Sequence, residues 1–397
     1  MHPAACLVLL ALAFPARPTD GPAQEPATPA APAAPAAEEV LPKLLPHVGA
    51  LSRDRARLAL GTLTGRGGGV VVLDLDTRRV TLRVADDESR ELRALAWSPD
   101  GSLLASLTST GRVEVRDARD ATERASFDAG GERDARRSTR RTLAFAAGGD
   151  VVVVALGAAE AGMWEARTGQ RVAALTIDEG VEDTALAVSR DGELVALGDA
   201  RGGIAVWKAR NGERVAGPLR VPMGQDTGDV GSLDFDPRGE VLAIGAGDCK
   251  ARLWRFARAD DVRELSHCDE DIFGGLAIGC VRFSPDGTRL VTTSWSFWQA
   301  RLWDVASEKR LGAWDYGGGN PSGMGAWFSA DGKQVTLALR GVTLDAATGK
   351  AAHVLVPEVP DWVWFQGEGD IAWVERGQRL EVWNASTGLL RFSRPTR

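Results

Sequence analysis

Three observations predict an all-β fold, a single propeller of four-stranded blades, with eight blades favoured and seven as the alternative. A Ser/Asp-x-x-Gly turn recurs along the 397 residues, as at Ser98-Pro99-Asp100-Gly101, Ser189-Arg190-Asp191-Gly192, Asp236-Pro237-Arg238-Gly239 and Ser284-Pro285-Asp286-Gly287. An aliphatic-Trp-polar step follows about fifteen residues later, at Val206-Trp207-Lys208, Leu253-Trp254-Arg255 and Leu302-Trp303-Asp304, with Val115-Arg116-Asp117 in its place after the first turn. The runs in between are short, rich in β-branched residues and bounded by Gly, Pro, Asp and Asn, which is strand grammar. No helical periodicity is sustained after Pro46.

In chain order, the first element is an apolar run, Ala4 to Phe14, of 11 residues. It is too short to span a bilayer as a helix. Small residues follow it, so residues 1–16 read as a secretory signal peptide, although no Lys or Arg precedes the run. Residues 17–40 are rich in Pro and Ala and cannot bury a core; they read as an extended disordered linker. The propeller is expected over 41–397. Export to the periplasm or the exterior follows from the leader, with a cytoplasmic protein as the alternative.

The turn glycine, or the residue in its place, falls at Arg55, Gly101, Gly149, Gly192, Gly239, Gly287, Gly332 and Gly369. The second landmark falls at Leu73, Arg116, Trp164, Trp207, Trp254, Trp303, Leu344 and Trp383. Within each unit an apolar run leads into the turn. In three units Pro presets φ at the first central position, and Gly closes the turn. A second run follows, then a third that ends on the landmark. A polar turn such as Thr168-Gly169, Asn211-Gly212 or Thr348-Gly349 leads to a fourth. Four short strands every 40-odd residues cannot hide both faces alone. Stacked around an axis they bury them on each other. The landmark Trp164, Trp207, Trp254, Trp303 and Trp383 are thus assigned to packing between blades. Asp100, Asp191, Asp286 and Asp331 are assigned to the turns.

The pairing of Ser-Pro-Asp-Gly with Arg-Leu-Trp-Asp between Ser284 and Asp304 resembles a WD-repeat (WD40) protein of divergent, bacterial type. The weaker units resemble diverged copies, so the resemblance covers about 350 residues. It implies a non-catalytic scaffold whose partners are other proteins or peptides. Such repeats often carry a Gly-His pair that joins a buried hydrogen-bonded tetrad. None of the four His (His2, His47, His267, His353) follows a Gly, so no tetrad is expected. The stretch Leu344 to Lys350 also resembles the docking motif of quinoprotein-type propellers. That gives an alternative: an envelope assembly scaffold, or a propeller that binds a small ligand in its channel. The adjacent Cys pair of the quinoprotein dehydrogenases is absent, and no cofactor is expected.

In WD-repeat propellers the loops after the fourth strand and between the second and third share one face. On that face Trp295, Phe297 and Trp298 form an aromatic cluster, with Phe273, Trp314 and Tyr316 in neighbouring loops. These are the expected partner-binding residues. Arg136 and Arg137, within the Arg-rich stretch 133–141, are a second candidate for an acidic partner. Ser266 to Asp271 (SHCDED) is expected to be an exposed acidic turn and not a metal site. After leader cleavage Cys249, Cys268 and Cys280 remain. The set is too sparse for a disulfide framework, so free thiols are expected, with Cys268–Cys280 the one bridge considered. The chain has no nucleophile elbow, no zinc-protease helix motif and no P-loop, so no enzyme is expected. A net charge of −7 gives no reason to expect nucleic acid. No membrane span and a monomer are expected.

Overall fold

The computed structural model describes residues 41, 43–64, 67–85, 91–130, 142–155, 161–178, 183–222, 230–258, 260–268, 277–294, 299–315, 325–337, 342–354, 362–365, 371–375, 379–384 and 387–396. The chain divides into two units, 1–38 and 39–397, and all described residues belong to the second.

Those residues form eight four-stranded antiparallel sheets, each built from four consecutive strands, here called a to d. Blade 1 comprises Lys43–Leu51, Arg57–Thr64, Gly67–Asp74 and Val80–Ala85. Blade 2 comprises Leu92–Trp97, Leu103–Thr108, Arg112–Asp117 and Glu123–Asp128. Blade 3 comprises Thr142–Ala146, Val151–Ala155, Ala161–Glu165 and Arg171–Leu175. Blade 4 comprises Asp183–Val188, Leu194–Asp199, Gly203–Lys208 and Arg214–Arg220. Blade 5 comprises Val230–Phe235, Leu242–Ala246, Lys250–Trp254 and Val262–Ser266. Blade 6 comprises Ile278–Phe283, Arg289–Ser294, Gln299–Asp304 and Arg310–Asp315. Blade 7 comprises Ala326–Phe328, Gln334–Leu337, Val342–Asp345 and Ala351–Val354. Blade 8 comprises Trp362–Phe365, Ile371–Glu375, Arg379–Asn384 and Leu389–Pro395. The fold is an eight-bladed propeller, and eight rather than seven is the count.

The recurring turn joins strands a and b, and its residues do the same work in blade after blade. The Ser98 hydroxyl donates to Asp100 (2.6 Å) and accepts the Leu103 N–H (2.9 Å), which ties both ends of the turn together. Ser189 with Asp191, Ser284 with Asp286 and Ser329 with Asp331 repeat this geometry. In blade 5 Asp236 does both jobs, accepting the Glu240 and Val241 amides at 2.7 Å. The third residue after the Ser needs a positive φ, which Gly supplies at no steric cost. Blade 1 places Arg55 there, at φ 59°. At Asp100 the Ser98 hydroxyl bond outweighs burial and holds the carboxyl at about 2, so the turn carries an anion at neutral pH.

The landmark residues are equivalent in register. Leu73, Arg116, Trp164, Trp207, Trp254, Trp303, Leu344 and Trp383 each pair with the first or second residue of their strand b. In seven blades the c–d ladder shifts register at this residue. Such bulges bend and twist a strand, as a radiating blade requires. Trp164, Trp207, Trp254 and Trp303 are buried against the preceding blade, each within a core cluster shared by two sheets. Trp164 also stacks on Phe127 of blade 2, with ring centroids 5.1 Å apart. Trp383 is only half-buried, with its indole N–H on Glu381.

Strand a of each blade from 1 to 6 lies beside strand a of the next. Between blades 8 and 1 no chain connection exists. The join is made instead by a parallel bridge, Leu41 to Thr396, by the Leu41 N–H on the Pro395 carbonyl (2.9 Å), and by an apolar cluster. In that cluster Leu380, Val382 and Phe392 pack on Leu58, Leu60 and Leu73. Among the described residues no helix is long and apolar enough to cross a membrane.

Candidate functional site

Because every a–b turn has the same length, the ladders give a strict equivalence between blades. In all eight, one residue of strand a pairs with the residue nine positions on in strand b. From blade 1 to blade 8 that residue is Ala50, Ala96, Ala144, Ala187, Asp234, Arg282, Trp327 and Trp364. Four blades place an alanine at this position. The next four place a carboxylate, a guanidinium and two indoles.

Three of these, Asp234, Arg282 and Trp327, border a cavity. A space of about 450 Å³ opens between the inner strands of blades 4 to 7 and is lined by Asp234, Arg282, Trp327 and Phe283 among others. Turn residues Arg190, Pro237 and Pro285 also line it, so it lies at the end of the inner strands where the a–b turns sit. A second cavity of about 510 Å³ runs between blades 5 and 6 past Arg238, Arg255 and Arg263, and it shares Pro237 and Phe283 with the first.

Asp234 and Arg282 stand on adjacent inner strands, with Nη1 3.9 Å from Oδ1. Asp234 Oδ2 accepts the Phe283 N–H at 2.7 Å, and the Ser232 hydroxyl accepts the Val281 N–H at 3.2 Å. These bonds satisfy amides on the channel-facing edge of blade 6, which has no further strand to pair with. Arg282 Nη1 donates to the carbonyls of Val281 (2.9 Å) and Leu233 (3.3 Å). Among the described residues, its Nη2 and Nε make no hydrogen bond. Arg190 reaches from blade 4 to the Pro285 carbonyl of blade 6 at 3.3 Å. Burial pushes the Asp234 carboxyl up to about 6, against the pull of the Arg282 charge and the Phe283 N–H. Both side chains nonetheless keep exposure, 27% for Asp234 and 37% for Arg282, so the site is wet. An enclosed carboxylate near neutrality beside a guanidinium with unspent donors is a pattern of ligand sites.

The residues singled out from the sequence fall differently. Trp295, Phe297, Trp298, Phe273, Tyr316, Arg136 and Arg137 lie outside the described residues. Trp314 is not in a loop: it stands on strand d of blade 6, opposite Ala300, and packs against the core shared with blade 7. Its indole N–H donates to the Gly349 carbonyl at 2.7 Å. Antiparallel alternation puts the a–b turns at the opposite end of the blades from the last residues of strands b and d.

Two further expectations are corrected. His267 is buried, not exposed, although Ser266 and not Gly precedes it. Its Nδ1 meets the Thr292 hydroxyl at 2.7 Å, and that hydroxyl accepts the Trp303 indole N–H at 3.0 Å. A buried His–Thr–Trp chain therefore runs from the segment entering blade 6 through its strands b and c. The signal was there: Trp303 closes the best-formed repeat, and a His precedes that repeat. The bridge is Cys249–Cys268, with Cα atoms 5.9 Å apart. Cys249 lies in the b–c turn of blade 5 and Cys268 just past its strand d, and alternation brings those two points to one edge. Cys280 cannot reach them, because it sits on strand a of blade 6 in the core facing blade 7. The SHCDED stretch thus gives two residues to structure, and no metal-holding group of His, Cys, Asp and Glu occurs among the described residues.

Eight radial four-stranded blades, with a Ser-Asp turn and a buried Trp at fixed register, define a propeller of the repeat type. Together with two partial matches these features support a WD40 β-propeller: the chain matches the family model of the anaphase-promoting complex subunit 4 WD40 domain over residues 58–139, and that of the WD domain, G-beta repeat, over 217–255 and 270–297. WD40 domains are in general protein-interaction scaffolds. No curated protein matches the chain.

Proposed function

We propose that this propeller is a non-catalytic scaffold that binds protein or peptide partners outside the cytoplasm, with residues 17–40 as its tether. The observation that carries the reading is the WD40-type ring itself. Its Ser, Asp, Gly and Trp are taken up by turns and blade packing, which leaves loops and channel rims to vary. Export is supported by the apolar run Ala4 to Phe14 and by the Cys249–Cys268 bridge, since disulfides persist in oxidising compartments. The partner surface we favour remains the face of Trp295, Phe297 and Trp298, with Arg136 and Arg137 on the same face.

The test is affinity capture from the native host with wild-type chain and with a Trp295→Ala, Trp298→Ala double variant. Loss of a specific partner from the double variant is the expected outcome. An unchanged set of partners refutes the aromatic-face version. Mass spectrometry of the mature N-terminus checks export: an intact Met1 in the cytosolic fraction refutes it. A second reading, a small ligand held in the channel, is favoured by one observation, the run of four alanines followed by Asp234, Arg282, Trp327 and Trp364.

A further inference from the structure

The residues at the a–b end of the channel bear on the charge and shape of a ligand that would fit there. The repeat needs only an alanine at this register, as blades 1 to 4 demonstrate. Asp234, Arg282 and Trp327 are therefore departures from the repeat and not parts of it. The fold does not ask for them, and a carboxylate forced up by burial weighs on stability. Residues of that kind are retained for what they bind.

Two guanidinium groups, Arg282 and Arg190, and one carboxylate, Asp234, line the cavity. Among the described lining residues the guanidinium groups outnumber the carboxylate, which favours an anion over a cation. A dianion would be repelled by the Asp234 carboxylate more strongly than a monoanion. A cation would meet two guanidinium groups. The fork geometry of Arg282, with Nη2 and Nε unspent, matches a planar carboxylate through two parallel N–H···O bonds. Beside the polar Ser284, residues Trp327, Phe283, Leu186 and Val188 supply flat and aliphatic surface. A volume of about 450 Å³ lies within the range of small-molecule sites.

We propose that the a–b end of the channel is a binding site for an organic monocarboxylate with a flat apolar body, its anion on Arg282 and its body against Trp327 and Phe283. The carboxylate can belong to a free acid or to the C-terminus of a peptide; the chemistry recognised is the same. This deepens the channel reading above and does not depend on a protein partner at the opposite face, so either can fail while the other stands.

The experiment is isothermal titration of the full chain with four probes. Two are acids, 3-phenylpropionate and acetyl-Gly-Gly-Phe. The other two are the corresponding amides, 3-phenylpropanamide and acetyl-Gly-Gly-Phe-amide. At least one acid should bind, with its amide at least about tenfold weaker, because a charge-assisted bidentate pair is lost. Binding of 3-phenylpropionate identifies a free acid as sufficient. Binding confined to the peptide acid identifies a chain terminus. Equal binding of acid and amide, or no binding of either acid at millimolar concentration, overturns the proposal, and neither result needs a variant. Arg282→Gln should abolish acid binding while the melting temperature stays within a few degrees, and Arg282→Lys should restore part of it. A folded Arg282→Gln protein that binds the acid as tightly as wild type also overturns the proposal.

Discussion

Thr292→Val is the substitution that tests the buried chain of blade 6 most directly. The two side chains have nearly the same shape, so the change removes a hydroxyl and leaves packing intact. His267 and Thr292 are fully buried and Trp303 is 4% exposed, so water does not replace what is lost. Two bonds go together: the contact with His267 Nδ1 at 2.7 Å and the Trp303 N–H acceptor at 3.0 Å. Taking away one partner of a buried hydrogen bond costs about 1–3 kcal/mol, so two give about 2–5 kcal/mol after some relaxation. Thr292→Ser is the control. It keeps the hydroxyl and loses one buried methyl, a cost of about 1 kcal/mol. Urea unfolding followed by tryptophan fluorescence should place the Val midpoint well below the Ser midpoint at similar slope. If Val costs no more than Ser, the His–Thr–Trp chain contributes nothing, and the reading of His267 as a structural residue falls.

Two pH-dependent outcomes follow from the carboxylates. At Asp100 the folded carboxyl sits at about 2, below its ordinary 3.8. Its stabilising effect is therefore complete above about pH 4 and is lost as pH falls through 2. The shift corresponds to about 2.4 kcal/mol, which solvent screening at this exposed turn reduces to about 1 kcal/mol. Asp100→Ala should thus lose about that much at pH 7 and approach wild type near pH 2, as read from urea midpoints across pH; a pH-independent difference refutes the turn-anion account. Asp234 has the opposite sign. Its folded carboxyl is raised to about 6, so wild type is most stable when it is protonated and loses stability as pH rises through 6. Asp234→Asn keeps an acceptor for the Phe283 N–H and should stabilise by about 1–3 kcal/mol at pH 7.5, with no gain below about pH 4. A destabilised Asn variant at pH 7.5 would refute this.

Most of the fold was legible because the repeat states each instruction several times. A single Ser-x-Asp-Gly is a turn. The same turn at regular intervals is an architecture, strong enough to place Arg55 at a position normally held by Gly, where it adopts φ 59°. What escaped the reading is long-range pairing that leaves no local pattern. His267 was passed over because Gly was sought before it, yet the requirement is a side chain within reach of Thr292, which Ser266 does not impede. Cys268 was weighed against Cys280, nearer in sequence, when strand alternation carries it to Cys249, 19 residues away. Trp314 was read as a loop residue because strand d of blade 6 runs on to Asp315 without a turn residue to mark its end.

The channel site escaped for a different reason, and that reason says where function can be sought in a repeated chain. Repetition assigns the recurring residues to scaffolding and leaves the loops, where no repeat constrains the sequence, as the conspicuous places for function. Yet register is shared by all eight blades, so a position inside the repeat can be compared with itself eight times. At the residue nine before its strand-b partner, blades 1 to 4 show the minimum the fold requires, a methyl group. The Asp234 bond to the Phe283 N–H is then not a general device for joining inner strands, since the four alanine blades hold together without one. The same comparison separates the Ser-Asp turns, which recur and are structural, from Asp234, which does not recur and is half-buried beside Arg282 at a cost in stability. Within a propeller the residue that departs from its own repeat, at a position where the smallest side chain suffices, is a stronger candidate for binding than a conspicuous residue in a loop.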